Sequence, residues 1–130
     1  MADYTITNLE EVEDAAVGFG LSPSLEARFP RELGLTRSGV SLQRLAPNAR
    51  IPFGHRHHEQ EELYVVVEGG GRIALDDEVV KVRTWDAVRV GSETMRCFEA
   101  GPDGLGYLAF GAPGTGPQDS EITQGWWPGG

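Results

Sequence analysis

The chain has 130 residues, with 11 Lys+Arg against 20 Asp+Glu, a formal charge of −9. That length suits one domain with one core, and the acidic balance argues against nucleic acid and anionic membranes, which both need basic patches. A lone cysteine, Cys97, excludes an internal disulfide framework and suits a reducing compartment.

The first residues are acidic rather than basic-then-apolar, and no apolar run reaches the length of a membrane span. Neither a signal peptide nor a spanning helix is expected, which makes the cytoplasm the expected location.

Residues 1–36 read as an N-terminal arm. Thr7-Asn8-Leu9-Glu10 is a capping box for one short helical turn. Leu21-Ser22-Pro23-Ser24 reads as a turn, and Leu25 to Phe29, stopped by Pro30, as an edge strand.

From Val40 the texture changes to short β-type runs at close spacing, as in an all-β sandwich or barrel, here expected over residues 37–111. Ser38 to Leu45 alternates, and Ala46-Pro47-Asn48-Ala49 turns it. A run ending at His55 and His57 follows, then Glu62 to Glu68. Gly69-Gly70-Gly71 is expected as a hairpin connection, since glycine accepts positive φ. Arg72 to Leu75 and Val79 to Val82 flank a second hairpin at Asp76-Asp77-Glu78. Ala87 to Val90 and Met95 to Glu99 flank a third at Gly91-Ser92-Glu93-Thr94. Gly101-Pro102-Asp103-Gly104 turns into a last strand, Leu105 to Phe110. No helix of three turns fits anywhere. Residues 112–130 form a tail in which Trp126-Trp127 is too apolar for free solution. It is expected to dock on its own barrel or on a second subunit.

The chemistry concentrates in Pro52 to Gly69. Strand side chains alternate, so His55 and His57 share a face while His58 points the other way. His58 to Glu61 is a polar turn, and Glu62 opens the next apolar strand, placing Glu62, Tyr64 and Val66 on its inner face. Glu61 is the alternative carboxylate. Two imidazoles and a carboxylate with open positions form the facial pattern that binds a divalent transition metal. A solvated, His-rich turn at a barrel rim is the competing reading.

This spacing resembles the first motif of the cupins, G(X)5HXH(X)3-4E(X)6G. His55, His57, Glu62 and Gly69 meet it; only the opening glycine is missing, with Leu45 or Asn48 near its place. The resemblance runs from about Val40 to Gly111. It implies a jelly-roll barrel, a homodimer, a small-molecule ligand, and a metal (iron, manganese, nickel or zinc) on His55, His57 and Glu62. The reactions it implies are oxygenation, isomerisation or decarboxylation of a small organic acid, with a metal-free binding barrel as the alternative.

The second cupin motif, G(X)5PXG(X)2H(X)3N, is met poorly. Trp85, Gly91, Glu93 and Ala100 take the places of its glycine, proline, second glycine and asparagine, and Arg96 stands where the last histidine ligand belongs. A guanidinium has no lone pair for a cation. Three readings follow: Arg96 neutralises Glu62, or clamps an anionic ligand bidentately, or points out of the barrel. Alternation with Phe98 favours an inward Arg96. Arg44, Tyr64, Met95, Phe98 and Tyr107 are candidate pocket walls, and Cys97, on the face opposite Arg96, is a structural thiol.

Overall fold

The computed structural model describes residues 1–112 and 119–129. Eight strands follow in order: β1 (Leu25–Arg28), β2 (Gly39–Leu45), β3 (Phe53–His57), β4 (Glu62–Leu75), β5 (Glu78–Arg83), β6 (Ala87–Val90), β7 (Arg96–Gly111) and β8 (Ser120–Gln124). Among the described residues the named helical elements are α1 (Ala15–Gly18) and 3-10 turns at Leu9–Glu11 and Arg31–Leu33. Asn8 caps the first turn by accepting from the Glu10 amide at 2.9 Å. Asp14 caps α1 through the Ala16 amide and also accepts from Ala27, which ties the helix to β1. Among the described residues no helix is long and apolar enough to cross a membrane.

Two antiparallel layers form because β4 and β7 each belong to both. In one layer the order is β1, β2, the second half of β7, the first half of β4, then β6. In the other it is β5, the second half of β4, the first half of β7, β3, then β8. The result is a curled jelly-roll barrel. Its interior is filled by Tyr64, Val66, Ile73, Phe98, Leu105 and Tyr107, alternate residues of the long strands. Phe98 and Tyr107 stack at 4.1 Å between ring centroids, and Tyr64 meets both edge-on.

Two expected turns lie inside strands, and a third turns without joining paired strands. Gly69-Gly70-Gly71 lies within β4, where register shifts mark the passage of the strand from one layer to the other. Gly69 adopts φ +65°, and a side chain on Gly71 would run into the Glu99 carbonyl, so the run is built for a bulge and a close backbone approach. Gly101 to Gly104 plays the same part within β7. The segment Gly91 to Thr94 does not close a hairpin, because β6 pairs with β4 and β7 with β2, β3 and β4. The hairpin at Asp76-Asp77 does form, with Leu75 opposite Glu78.

The tail docks on its own barrel. β8 lies antiparallel to β3, pairing Phe53 with Gln124 through His57 with Ser120. Trp126 packs over Gly54, where a Cβ would come within 2.5 Å of Trp126 Cε3. Met95 lies in this contact instead of lining a pocket, its sulfur 3.2 Å from the same point. The Arg50 guanidinium sits 3.9 Å from the Trp127 ring centroid. Arg50 and Arg72 both pair with Glu99 beneath that indole. Residues 113–118 of the expected tail lie outside the described residues.

Candidate metal centre

β3 delivers His55 and His57 to one face, and β4 begins with Glu62 opposite them. Glu62 Oε1 lies 3.2 Å from His55 Nε2 and 3.1 Å from His57 Nε2. The alternation predicted from sequence is therefore realised. His58 turns outward to within 3.8 Å of Glu121, and Glu61 pairs with Arg89 on the surface at 3.1 Å. Glu62, not Glu61, is the carboxylate of the site.

A fourth member of the arrangement was not visible in the sequence. Asp119, 3% exposed, sits just before β8 and places Oδ2 3.1 Å from His57 Nδ1. Its Oδ1 accepts from the Glu59 amide at 3.0 Å. Burial works against its charge, but the Glu59 and Gln60 amides and His57 outweigh that and hold its pKa below the usual aspartate value. An ionised carboxylate only accepts, so His57 Nδ1 donates to Asp119 and Nε2 is the ring nitrogen turned to Glu62. The only signal in the sequence was a polar Asp-Ser pair ahead of a short β-type run.

Arg96 is 1% exposed and lies directly across the strand pair from His55, so it faces the barrel interior. The outward reading is excluded. Its Nη1 donates to Glu62 Oε1 at 2.9 Å and its Nη2 to the Gly91 carbonyl at 2.7 Å. Its Nε is buried and has no hydrogen-bond partner among the described residues. Tyr64 donates its hydroxyl to the same Oε1 at 2.6 Å. Burial tends to raise the Glu62 pKa, but hydrogen bonds from His55, His57 and Tyr64 reverse this and hold it far below the carboxylate range. The Tyr64 phenol is pushed well up, by burial first and by the Glu62 charge second.

The donor set fits one divalent cation. One ligand atom each from His55, His57 and Glu62 lies within 4.8 Å of the others. The 3.1–3.2 Å separations from Glu62 are those of adjacent ligands about 2.1 Å from a common ion. His57 Nε2 faces the Glu62 carboxylate at 3.1 Å, a contact that calls for a proton or a metal ion between the two. A carboxylate on the far ring nitrogen is also how metal-binding imidazoles are commonly held. Arg96 weighs on the other side, adding a positive charge beside the carboxylate.

A cavity of about 470 Å³ opens from this centre, with Tyr64, Phe98 and Tyr107 among its walls. Arg44 is not among them, contrary to expectation. It lies on the outer face of β2, where it pairs with Glu26 at 2.9 Å, with Glu10 at 2.6 Å and with Glu68. Gln43, its neighbour on the inner face, accepts from the Tyr107 hydroxyl at 2.9 Å instead. Cys97 is buried, with its thiol 3.3 Å from the Ile51 carbonyl and its pKa pushed up to about 11 by burial, which leaves it an inert thiol.

Residues 41–102 match the family model of the cupin domain. The chain carries a cupin domain. An uncharacterized protein of Methanocaldococcus jannaschii is 31% identical over 82 residues, 58% of this chain and 66% of that one, so this chain spans just under two thirds of that relative. A cupin protein of Bacteroides fragilis superposes with a TM-score of 0.69 at 23% identity, over 98% of this chain and 93% of its own. A Streptomyces protein solved with uridine gives 0.74 at 19% identity, over 98% and 95%. The polyketide cyclase of Streptomyces resistomycificus gives 0.72 at 16%, over 96% and 87%. At these identities the structural likenesses establish the cupin fold alone. The family match ends before Asp119, so the residue that orients His57 lies outside the stretch of the cupin model.

Proposed function

We propose that this cupin holds one divalent transition-metal ion on His55, His57 and Glu62, and that it acts on or binds a small organic acid in the adjoining cavity. One observation carries the reading: both Nε2 atoms converge on Glu62 Oε1 while Asp119 holds the far side of His57. Iron, manganese, nickel and zinc all accept such a donor set. A bound ion would polarise a ligand oxygen as a Lewis acid. The chain's own groups do the rest. Tyr64 and Arg96 hold the carboxylate in place, and the aromatic walls exclude water.

A metal-free binding barrel is the second reading, favoured by the 2.9 Å contact of Arg96 with Glu62. There the guanidinium neutralises the buried carboxylate without any ion. Elemental analysis of tag-free protein, incubated with each metal and dialysed, separates the two. Near-stoichiometric metal in the wild type, lost in His57→Ala, supports the metal site; occupancy near zero with every metal selects the binding barrel.

The protein is further proposed to be a homodimer, which light scattering at micromolar concentration tests. The buried single thiol is in keeping with a reducing compartment, the cytoplasm.

A further inference from the structure

The cavity that leads to the metal centre has its charged groups at one end. Arg96 is the only lysine or arginine among its described lining residues, and both of its Nη atoms are already engaged, with Glu62 and the Gly91 carbonyl. Glu62 is the only carboxylate among them. Away from that end the walls come from the N-terminal arm and β1, through Ala16, Phe19, Leu21, Leu25 and Ala27, with Phe53 and Ile122 from β3 and β8. Ser41, Gln43, Gln60 and Ser120 are uncharged polar residues in this lining, and Gln43 is already bonded to Ser41 and Tyr107.

The rim is apolar as well. Phe19 is 80% exposed and Ile122 59%, and both line the cavity. The volume of about 470 Å³ falls within the ~300–1,000 Å³ of pockets that enclose drug-sized molecules. It is far more than a two- or three-carbon acid needs.

The geometry points to a ligand with a single acidic head and an uncharged, largely apolar body of two or three rings: an aromatic hydroxy acid or a close analogue. The head reaches the His55–His57–Glu62 end, and the body lies along the aromatic and aliphatic walls. A second anionic group, such as the phosphate of a sugar phosphate or the far carboxylate of a diacid, would meet no free cation and would be desolvated without compensation. Polyols fail for a similar reason, because the few polar wall groups cannot satisfy a ring of hydroxyls. This assignment rests on the metal-site reading for its head and on the cavity lining for its body, and the two parts are tested separately.

The test is a fluorescence titration of zinc-loaded protein with 3-hydroxy-2-naphthoate, compared by calorimetry with lactate and glucose 6-phosphate. Naphthoate should bind with a Kd of about 1 mM or tighter, at least about tenfold tighter than either comparison compound. Lactate keeps the hydroxy-acid head and lacks the body, so the difference reports on the walls. Val40→Trp, at a half-buried cavity-lining position on β2, should weaken naphthoate at least about tenfold while zinc affinity stays unchanged. Phe19→Asp changes a side chain too exposed to threaten folding, and it should weaken naphthoate several-fold. Zinc uptake with equal affinity for naphthoate and lactate, or naphthoate binding untouched by both substitutions, would overturn the assignment while leaving the metal site standing. Naphthoate binding that is sensitive to Val40→Trp in a protein that takes up no zinc would support the cavity assignment and remove the metal from it.

Discussion

Asp119 Oδ2 accepts a hydrogen bond from His57 Nδ1 at 3.1 Å, although 62 positions of sequence separate the two residues. The pairing is delivered by β8 lying along β3, so the C-terminal segment reaches the candidate site as well as the barrel's edge. Asp119→Asn should lower zinc affinity by about 10–100-fold, because a neutral amide orients the ring less firmly and leaves Nε2 less basic. Competition against a chromophoric chelator is the readout, with Asp119→Glu expected to recover part of the loss. Wild-type affinity in a folded Asp119→Asn protein would remove Asp119 from the site.

Arg96→His should raise zinc affinity by on the order of tenfold, about 1.4 kcal/mol, by replacing a cation 2.9 Å from Glu62 Oε1 with an imidazole. The same change strips the Gly91 carbonyl of its donor and should cost about 1–3 kcal/mol of stability in the metal-free protein. Zinc titration and chemical denaturation measure the two effects. An unchanged zinc affinity in a folded variant would mean that position 96 does not serve the ion's surroundings.

Gly54 and Trp126 form a coupled pair. Gly54→Ala places a methyl 2.5 Å from the indole and should destabilise by about 1–3 kcal/mol. Trp126→Ala should cost a similar amount, about 1–3 kcal/mol, through lost burial. The double variant should cost less than the sum by more than about 0.5 kcal/mol, since the clash disappears with the ring. Strict additivity in urea denaturation would show that the tail does not rest on β3 in solution.

Glu99 links pH to stability. Its partial burial works against the charge, but hydrogen bonds from Arg72 and Arg50 outweigh it, so its pKa lies below the ordinary glutamate value. A depressed folded-state pKa contributes stability that is present above the unfolded value and lost as pH falls through the folded one. Glu99→Gln should therefore flatten the decline of melting temperature on the acid side of about pH 4.3 and lower the plateau near neutrality. Parallel acid limbs for the two proteins would exclude Glu99 from the pH dependence.

Alternation along a strand is a local property, and it determined much of this protein in advance. It put His55 and His57 on one face, Glu62, Tyr64 and Val66 on the next inner face, and Arg96 with Phe98 inside rather than out. The barrel itself was legible for the same reason, as short β-type runs without a helical period. Tertiary structure decided whatever depends on which strand lies beside which. Only the layered pairing shows that Gly69-Gly70-Gly71 is a crossing within one long strand, since a bulge and a hairpin ask the same flexibility of glycine. It also shows that Arg44 spends its charge on Glu10, Glu26 and Glu68 outside the barrel, and that Arg96 meets Glu62 within it. Asp119 is the plainest case: nothing near it in the chain marks it as a partner of His57, because a hydrogen bond across 62 residues exists only once β3 and β8 have paired.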